Sequence, residues 1–194
     1  MKKKNIDRLI GKQLPEAEIK QILTELDITI ENEALSFTTY LNGKHVKGLN
    51  LFDKYTNQQY NLGENLFEIT YQNGYQITSS EMIISGLPKV ESIKGDSNAL
   101  RQVDQVDGKS ITIDFLRPAD GLKLSWKAIV RDRSNYIRQE VTLQAQIGPK
   151  TVAKITLINA PLKDAKIFGS VNGSPIVLGS IFLGFEHPQA VATI

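Results

Sequence analysis

The sequence predicts a mainly β protein: an antiparallel β-super-sandwich over residues 34–194, preceded by a short helical element over residues 1–33. Three observations carry this. Alternating apolar and polar segments recur from about Ala34 onward, separated by turns of Asn-Gly, Gly-Ser and Pro type. No helical periodicity intervenes between them. The start of the chain reads differently, because "PEAEIKQILTEL" puts Ile19, Ile22, Leu23 and Leu26 at i, i+3, i+4 and i+7, one apolar stripe on a helix.

In that helix Pro15 suits the first position, and Glu16 and Glu18 lie near the positive end of the dipole. A shorter helix at Ile6 to Ile10, stopped by Gly11, completes a helical hairpin. Asn42-Gly43 then marks an early β-hairpin that carries His45. "LFEITYQNGYQITSSEM" (66–82) places Asn73-Gly74 between two β-rich runs, a strong hairpin signal. "GLPKVESIKGD" reads as a loop. "LKLSWKAIV" (122–130) alternates, with Leu122, Leu124, Trp126, Ala128 and Val130 on one face. After "RDRSN", the run "YIRQEVTLQAQI" sets Val141, Leu143, Ala145 and Ile147 on one face. "VAKITLI", "AKIFGSV" and "GSIFLGF" supply the last strands. Trp126 is expected between the sheets, held with Leu124 and Leu143.

A length of 194 residues suits one medium domain with a small appendage, and 41% apolar against 23% charged residues supports a sizeable core. The net charge of +2 gives no electrostatic footprint for nucleic acid or an anionic membrane. No run approaches the roughly 18 to 20 apolar residues of a membrane helix. With no cysteine, disulfides, thiol nucleophiles and Cys-based zinc sites are excluded. The two histidines lack metal-ligand spacing, and neither GxGxxG nor GxxxxGK occurs, so no metal and no cofactor are expected.

The candidate site residues fall in two patches. Near the end of the chain, "GSPIVLGSIFLGFEHPQA" sets Phe185, Glu186 and His187 before Pro188. Glu186 beside His187 fits an acid/base pair, the rim of a sugar pocket or a plain turn. Adjacent residues of a strand point to opposite faces, so a joint action requires the chain to bend there. The second patch is the turn "VRDRSNYIRQEV", where Arg131, Arg133 and Arg138 cluster with Asp132 and Glu140 around Asn135 and Tyr136. Such arginines grip carboxylates or sugar hydroxyls, or else form an exposed face of cross-strand ion pairs. Asp114, Asp120, Asp132 and Glu140 are expected in exposed turns or on polar faces, away from any aromatic floor.

Two family resemblances follow from these residues. "NIDRLIGKQLPEAEIKQILTELDITI" (5–30) resembles the opening of the helix-turn-helix-like domain in the beta subunit of bacterial phenylalanyl-tRNA synthetase, with two helices and then a strand. Residues of about 34 to 190 resemble the N-terminal β-sandwich of Bacteroidetes-type glycoside hydrolases, α-galactosidase-like. The landmarks are "LFDKYTNQQYNL", "LFEITYQNGYQITSSEM", "PKVESIKGD", "GLKLSWKAIVRDRSNYIRQEVTL" and "GSVNGSPIVLGSIFLGFEHPQA", of which "SNYIRQE" and the block from "GSPIV" to "FEHP" are the most specific.

The larger resemblance implies a galactose-mutarotase-like super-sandwich that precedes a catalytic barrel. The chain stops six residues after Pro188, at 194, where the barrel would begin. It therefore implies a non-catalytic accessory domain, with carbohydrate or a catalytic barrel domain as partner. Phe185, Glu186 and His187 form its pocket rim, Arg131, Arg133, Asn135 and Tyr136 a second patch, and no residue is assigned as catalytic. Family habit implies a periplasmic or extracellular setting, although "MKKKNIDRLIGKQLPEAE" lacks the apolar run of a signal peptide. One alternative is an aldose epimerase-like enzyme, whose family uses a His acid and a Glu base. Another is a synthetase-related domain that binds a protein or tRNA, although the near-neutral charge speaks against tRNA.

Overall fold

The computed structural model describes residues 26–187 and 190–194. The expected helical hairpin lies outside the described residues, except at its last position. Leu26, expected to close the helical stripe, instead opens a strand, because "LDITIE" alternates and pairs along its full length with the next strand.

The chain is mainly β, and the sheets among the described residues are antiparallel. The first sheet has the order β1 (Leu26–Glu31), β2 (Leu35–Asn42), β3 (His45–Asp53) and β4 (Gln58–Asn61). Its hairpin at Asn42-Gly43 uses a glycine with φ of 61°, a left-handed conformation that suits the tight turn. The pairing slips between Tyr40 and Leu41, and the buried side of β3 switches from Val46 to Leu49 and Leu51 across this bulge.

In the second sheet β9 (Gly108–Arg117) and β10 (Leu122–Arg131) are central. β11 (Ile137–Ala145) flanks β10, while β7 (Ile83–Ile84) and β8 (Lys89–Ile93) pair successively with β9. β8 corrects the expectation of a loop at "GLPKVESIKGD". It is exposed almost throughout, so it carries none of the alternation that burial imposes. A third sheet joins β12 (Val152–Thr156) to the hairpin of β5 (Glu68–Tyr71) and β6 (Gln76–Thr78). A fourth holds β13 (Lys166–Ile167), β14 (Ile176–Leu178) and β15 (Ile181–Leu183). Among the described residues no helix is long and apolar enough to cross a membrane.

The apolar faces converge on one cluster. Ile28, Ile30, Phe37 and Leu49 come from the first sheet, and Ile111, Ile113, Phe115, Leu124 and Trp126 from the second. Phe37 stacks on Trp126 with ring centroids 6.4 Å apart, and Phe67 meets Phe115 edge to face at 5.2 Å. Leu143 pairs with Leu124 as neighbouring strands, while the direct cross-strand neighbours of Trp126 are Ile113 and Val141. The apolar face expected on β11 is only partly realised. β11 is the outermost strand of its sheet, so Val141 and Leu143 are half covered, Ala145 is exposed, and Ile147 beyond the strand end is 63% exposed.

Two polar contacts fix the margins. The Ser180 hydroxyl in the β14–β15 turn donates to Asp53 Oδ2 at 2.7 Å, and Asp53 Oδ1 accepts the Tyr55 N–H at 2.9 Å. Residues 26–33 are equally built in, because Asn32 ties the β1–β2 turn to the turn after β10.

Candidate functional site

The site forms where three segments meet at the end of β10: the turn 132–136, the loop 94–107 and the bend at 185–187. Asn32 holds the turn, its side-chain amide donating to the carbonyls of Arg131 at 2.7 Å and Ser134 at 2.6 Å. Gly108 lets β9 approach β10 here, since a Cβ on it would lie 2.3 Å from the Val130 carbonyl oxygen. Asp107 organises the loop by accepting from Lys94 Nζ at 2.7 Å and from the Gly95 N–H at 2.8 Å. Those two donors, the lysine first, hold its carboxyl below the usual range.

The bend at the third segment is real. β15 ends at Leu183, and the His187 N–H donates back to the Phe185 carbonyl at 2.8 Å, so Phe185, Glu186 and His187 leave strand geometry. The structure then brings the two predicted patches together. The Tyr136 hydroxyl donates to Glu186 Oε1 at 2.6 Å, while Glu186 Oε2 faces Arg138 at 3.4 Å and Arg101 at 3.7 Å. Arg101 Nε also donates to Asp104 at 2.7 Å, Asp104 in turn meets Arg131 at 3.4 Å, and Arg138 meets Glu140 at 3.2 Å. The result is a ladder of alternating charge, Arg131–Asp104–Arg101–Glu186–Arg138–Glu140, with Tyr136 closing it over Glu186.

The predicted residues divide within this ladder. Phe185, Glu186, His187 and Tyr136 lie at the surface. Arg131 lies beneath it: its side chain is only 11% exposed and it donates to the Val106 carbonyl at 2.8 Å, so it anchors the loop rather than facing a ligand. Arg133, with φ of 56°, and Asn135 are exposed on the turn, with no side-chain partner among the described residues. Sequence reasoning missed Arg101 and Asp104. Their segment, "LRQVDQVDG", has no periodic or motif signal, and only the alternation of charge hinted at ion pairing. His45, the other imidazole, is exposed on β3 with its Nδ1 2.9 Å from the Ser80 carbonyl oxygen.

Burial first, and the hydrogen bond to Glu186 second, push the Tyr136 phenol well above its usual value. The folded chain therefore keeps a proton that the unfolded chain releases near pH ~10. This contribution to stability is complete below that pH and is lost as the pH rises beyond it. Urea midpoints should accordingly fall above about pH 10, and fall less steeply in Tyr136→Phe. Tyr71, also raised, by burial and then by Asp120, sustains part of the fall in both proteins. Identical curves for the two proteins would show that Tyr136 does not carry the effect.

Chemically, the cluster presents a fixed carboxylate, guanidinium edges and a phenol on one surface, and the exposed Phe185 precedes Glu186 in the chain. That set exchanges hydrogen bonds with hydroxyl groups. Among the described residues no group of three His, Asp or Glu side chains is placed to hold a metal ion. No family model matches the chain, and no curated protein or solved structure matches it.

Proposed function

We propose that this chain is a non-catalytic accessory domain of a carbohydrate-active enzyme, a galactose-mutarotase-like super-sandwich that offers a platform and a pocket rim to a catalytic barrel. The observation that carries the reading is the Tyr136–Glu186 hydrogen bond. It unites, on one exposed surface, the two sequence blocks with the most specific resemblance to the sandwich of glycoside hydrolases. The glycosidase reaction needs two carboxylates about 5 to 5.5 Å apart across a scissile bond, one of them free to give and take a proton. Glu186 is instead engaged by a phenol and two guanidiniums, which suits holding a hydroxyl.

The test is a panel of aryl glycosides, aryl α-galactosides first, run beside a nuclear magnetic resonance titration with the free sugars. The expected result is no hydrolysis, with weak shifts at Tyr136 and Glu186 that Glu186→Gln abolishes. Turnover proportional to pure protein would place the chain in another class.

A further inference from the structure

A second polar cluster lies at the opposite end of β10. The ten residues of that strand, at a rise of about 3.3 Å each, separate it from Glu186 by roughly 30 Å. It is a cleft of about 390 Å³ lined by Tyr71, Tyr75, Arg117, Asp120 and Lys150, with the backbone and amides of Gln72 and Asn73 at its side. The hairpin turn at Asn73-Gly74, with φ of 83° at the glycine, folds Tyr75 back beside Tyr71. Their rings lie nearly parallel, 10° apart in plane with centroids 6.4 Å apart. Tyr71 is buried, whereas Tyr75 is 48% exposed and presents its hydroxyl and part of its ring at the cleft.

The polar groups are held before any ligand arrives. Arg117 donates to the Tyr75 hydroxyl oxygen at 2.6 Å and to Asp120 Oδ2 at 3.0 Å, and its Cζ lies 5.0 Å from the Tyr75 ring centre. Tyr71 donates to the same carboxylate oxygen at 3.3 Å, and Lys150 lies 3.8 Å from it. The expectation that Asp120 sits in an exposed turn away from aromatics is thereby corrected: its side chain is 17% exposed and touches Tyr71. Closing the β9–β10 turn accounts for the Arg117–Asp120 pair and for the Leu122 N–H that Asp120 accepts. It does not account for a half-exposed tyrosine whose hydroxyl is pinned by the same arginine.

We infer that this cleft binds a neutral saccharide unit, with the exposed part of Tyr75 as its aromatic contact. The Tyr75 oxygen accepts from Arg117 and so keeps its own proton to donate, Lys150 supplies further donors, and the side-chain amides of Gln72 and Asn73 can do both. Alternating donors and acceptors beside an aromatic ring match the hydroxyls and C–H face of a sugar ring. Asp120 offsets one of the two cations and leaves a single positive charge, so inorganic phosphate is the control for an anionic ligand. The volume lies at the small end of ligand clefts, enough for one or two rings. The inference rests on this cleft alone and does not depend on the accessory-domain reading.

The test is a residue-resolved titration of the whole chain by nuclear magnetic resonance. The probes are methyl α-D-galactopyranoside, methyl β-D-glucopyranoside and, separately, inorganic phosphate. Saturable shifts at the amides of residues 71–75 and 150–151 are expected with at least one glycoside and not with phosphate. Tyr75→Ala should weaken that binding about tenfold, Tyr75→Phe less, and Glu186→Gln should leave it unchanged. Thermal melts of the variants confirm that each is folded. The inference is overturned by no saturable shift in the cleft with either glycoside, by a response to phosphate alone, or by full binding by folded Tyr75→Ala. Sugar shifts confined to Tyr136 and Glu186 would also overturn it while leaving the accessory-domain reading intact.

Discussion

Replacing Trp126 by Ala should destabilise the protein by about 3–5 kcal/mol, the largest effect expected of any single side chain here. Trp126 is fully buried and is the largest side chain in that state. It lies in β10 between Ile113 and Val141 and stacks on Phe37 of the other sheet, so it fills space that two sheets share. Truncation removes the transfer energy of the indole and leaves a cavity that strands fixed on both sides cannot collapse to fill. It also deprives Gln139 Oε1 of the indole N–H that reaches it at 3.0 Å. Trp126→Phe keeps most of the apolar contact and should cost clearly less. Urea unfolding followed by circular dichroism measures both variants, because the alanine variant has no tryptophan left to report. A loss below about 1.5 kcal/mol for the alanine variant would mean that the two sheets do not share a tightly packed core.

The sequence was legible wherever burial is one-sided and the turn chemistry is local. β10 shows five buried residues at every second position, and the hairpins at Asn42-Gly43 and Asn73-Gly74 stand where the dipeptides put them. Legibility fails for physical reasons in other places. β8 buries nearly nothing, so no pattern records it, and the far end of β11 turns its apolar residues outward because, among the described residues, no further strand covers them. The bulge in β3 shifts the alternation by one residue, which breaks a strict period. Leu26 satisfies the helical spacing and the strand spacing equally, and its pairing with Leu41 decides between them. For the candidate site, the bend at Glu186 was foreshadowed by Pro188. The meeting of residues 101, 136, 138 and 186 was not, since no local pattern encodes contacts between segments so far apart in the chain. The same holds for Asp120, which lies beside Tyr71 through the packing of one hairpin against the turn of another.

Asn32→Ala should cost about 2–4 kcal/mol and should loosen the candidate site as well. The residue is nearly buried, and its side chain makes four hydrogen bonds. Its Oδ1 accepts the N–H groups of Ala34 at 2.9 Å and Leu35 at 2.8 Å, which shapes the β1–β2 turn. Its Nδ2 donates to the carbonyls of Arg131 and Ser134, which shapes the turn leading to Tyr136. Alanine leaves two donors and two acceptors in this crevice without that partner, and a buried polar group left unmade costs about 1–3 kcal/mol before water or relaxation offsets it. Asn32→Asp separates the two halves of the role. A carboxylate still accepts from Ala34 and Leu35, but it brings no proton to the two carbonyls and sets negative charge against them. The aspartate variant should therefore be destabilised near neutral pH and regain part of the loss in acid, where a protonated carboxyl donates once. Urea midpoints across the acid range measure this, and the amide signals of residues 131–136 report the turn. An alanine variant within about 0.5 kcal/mol of the parent protein would show that the turn after β10 is held by other contacts, and that Asn32 does not couple β1 to the site.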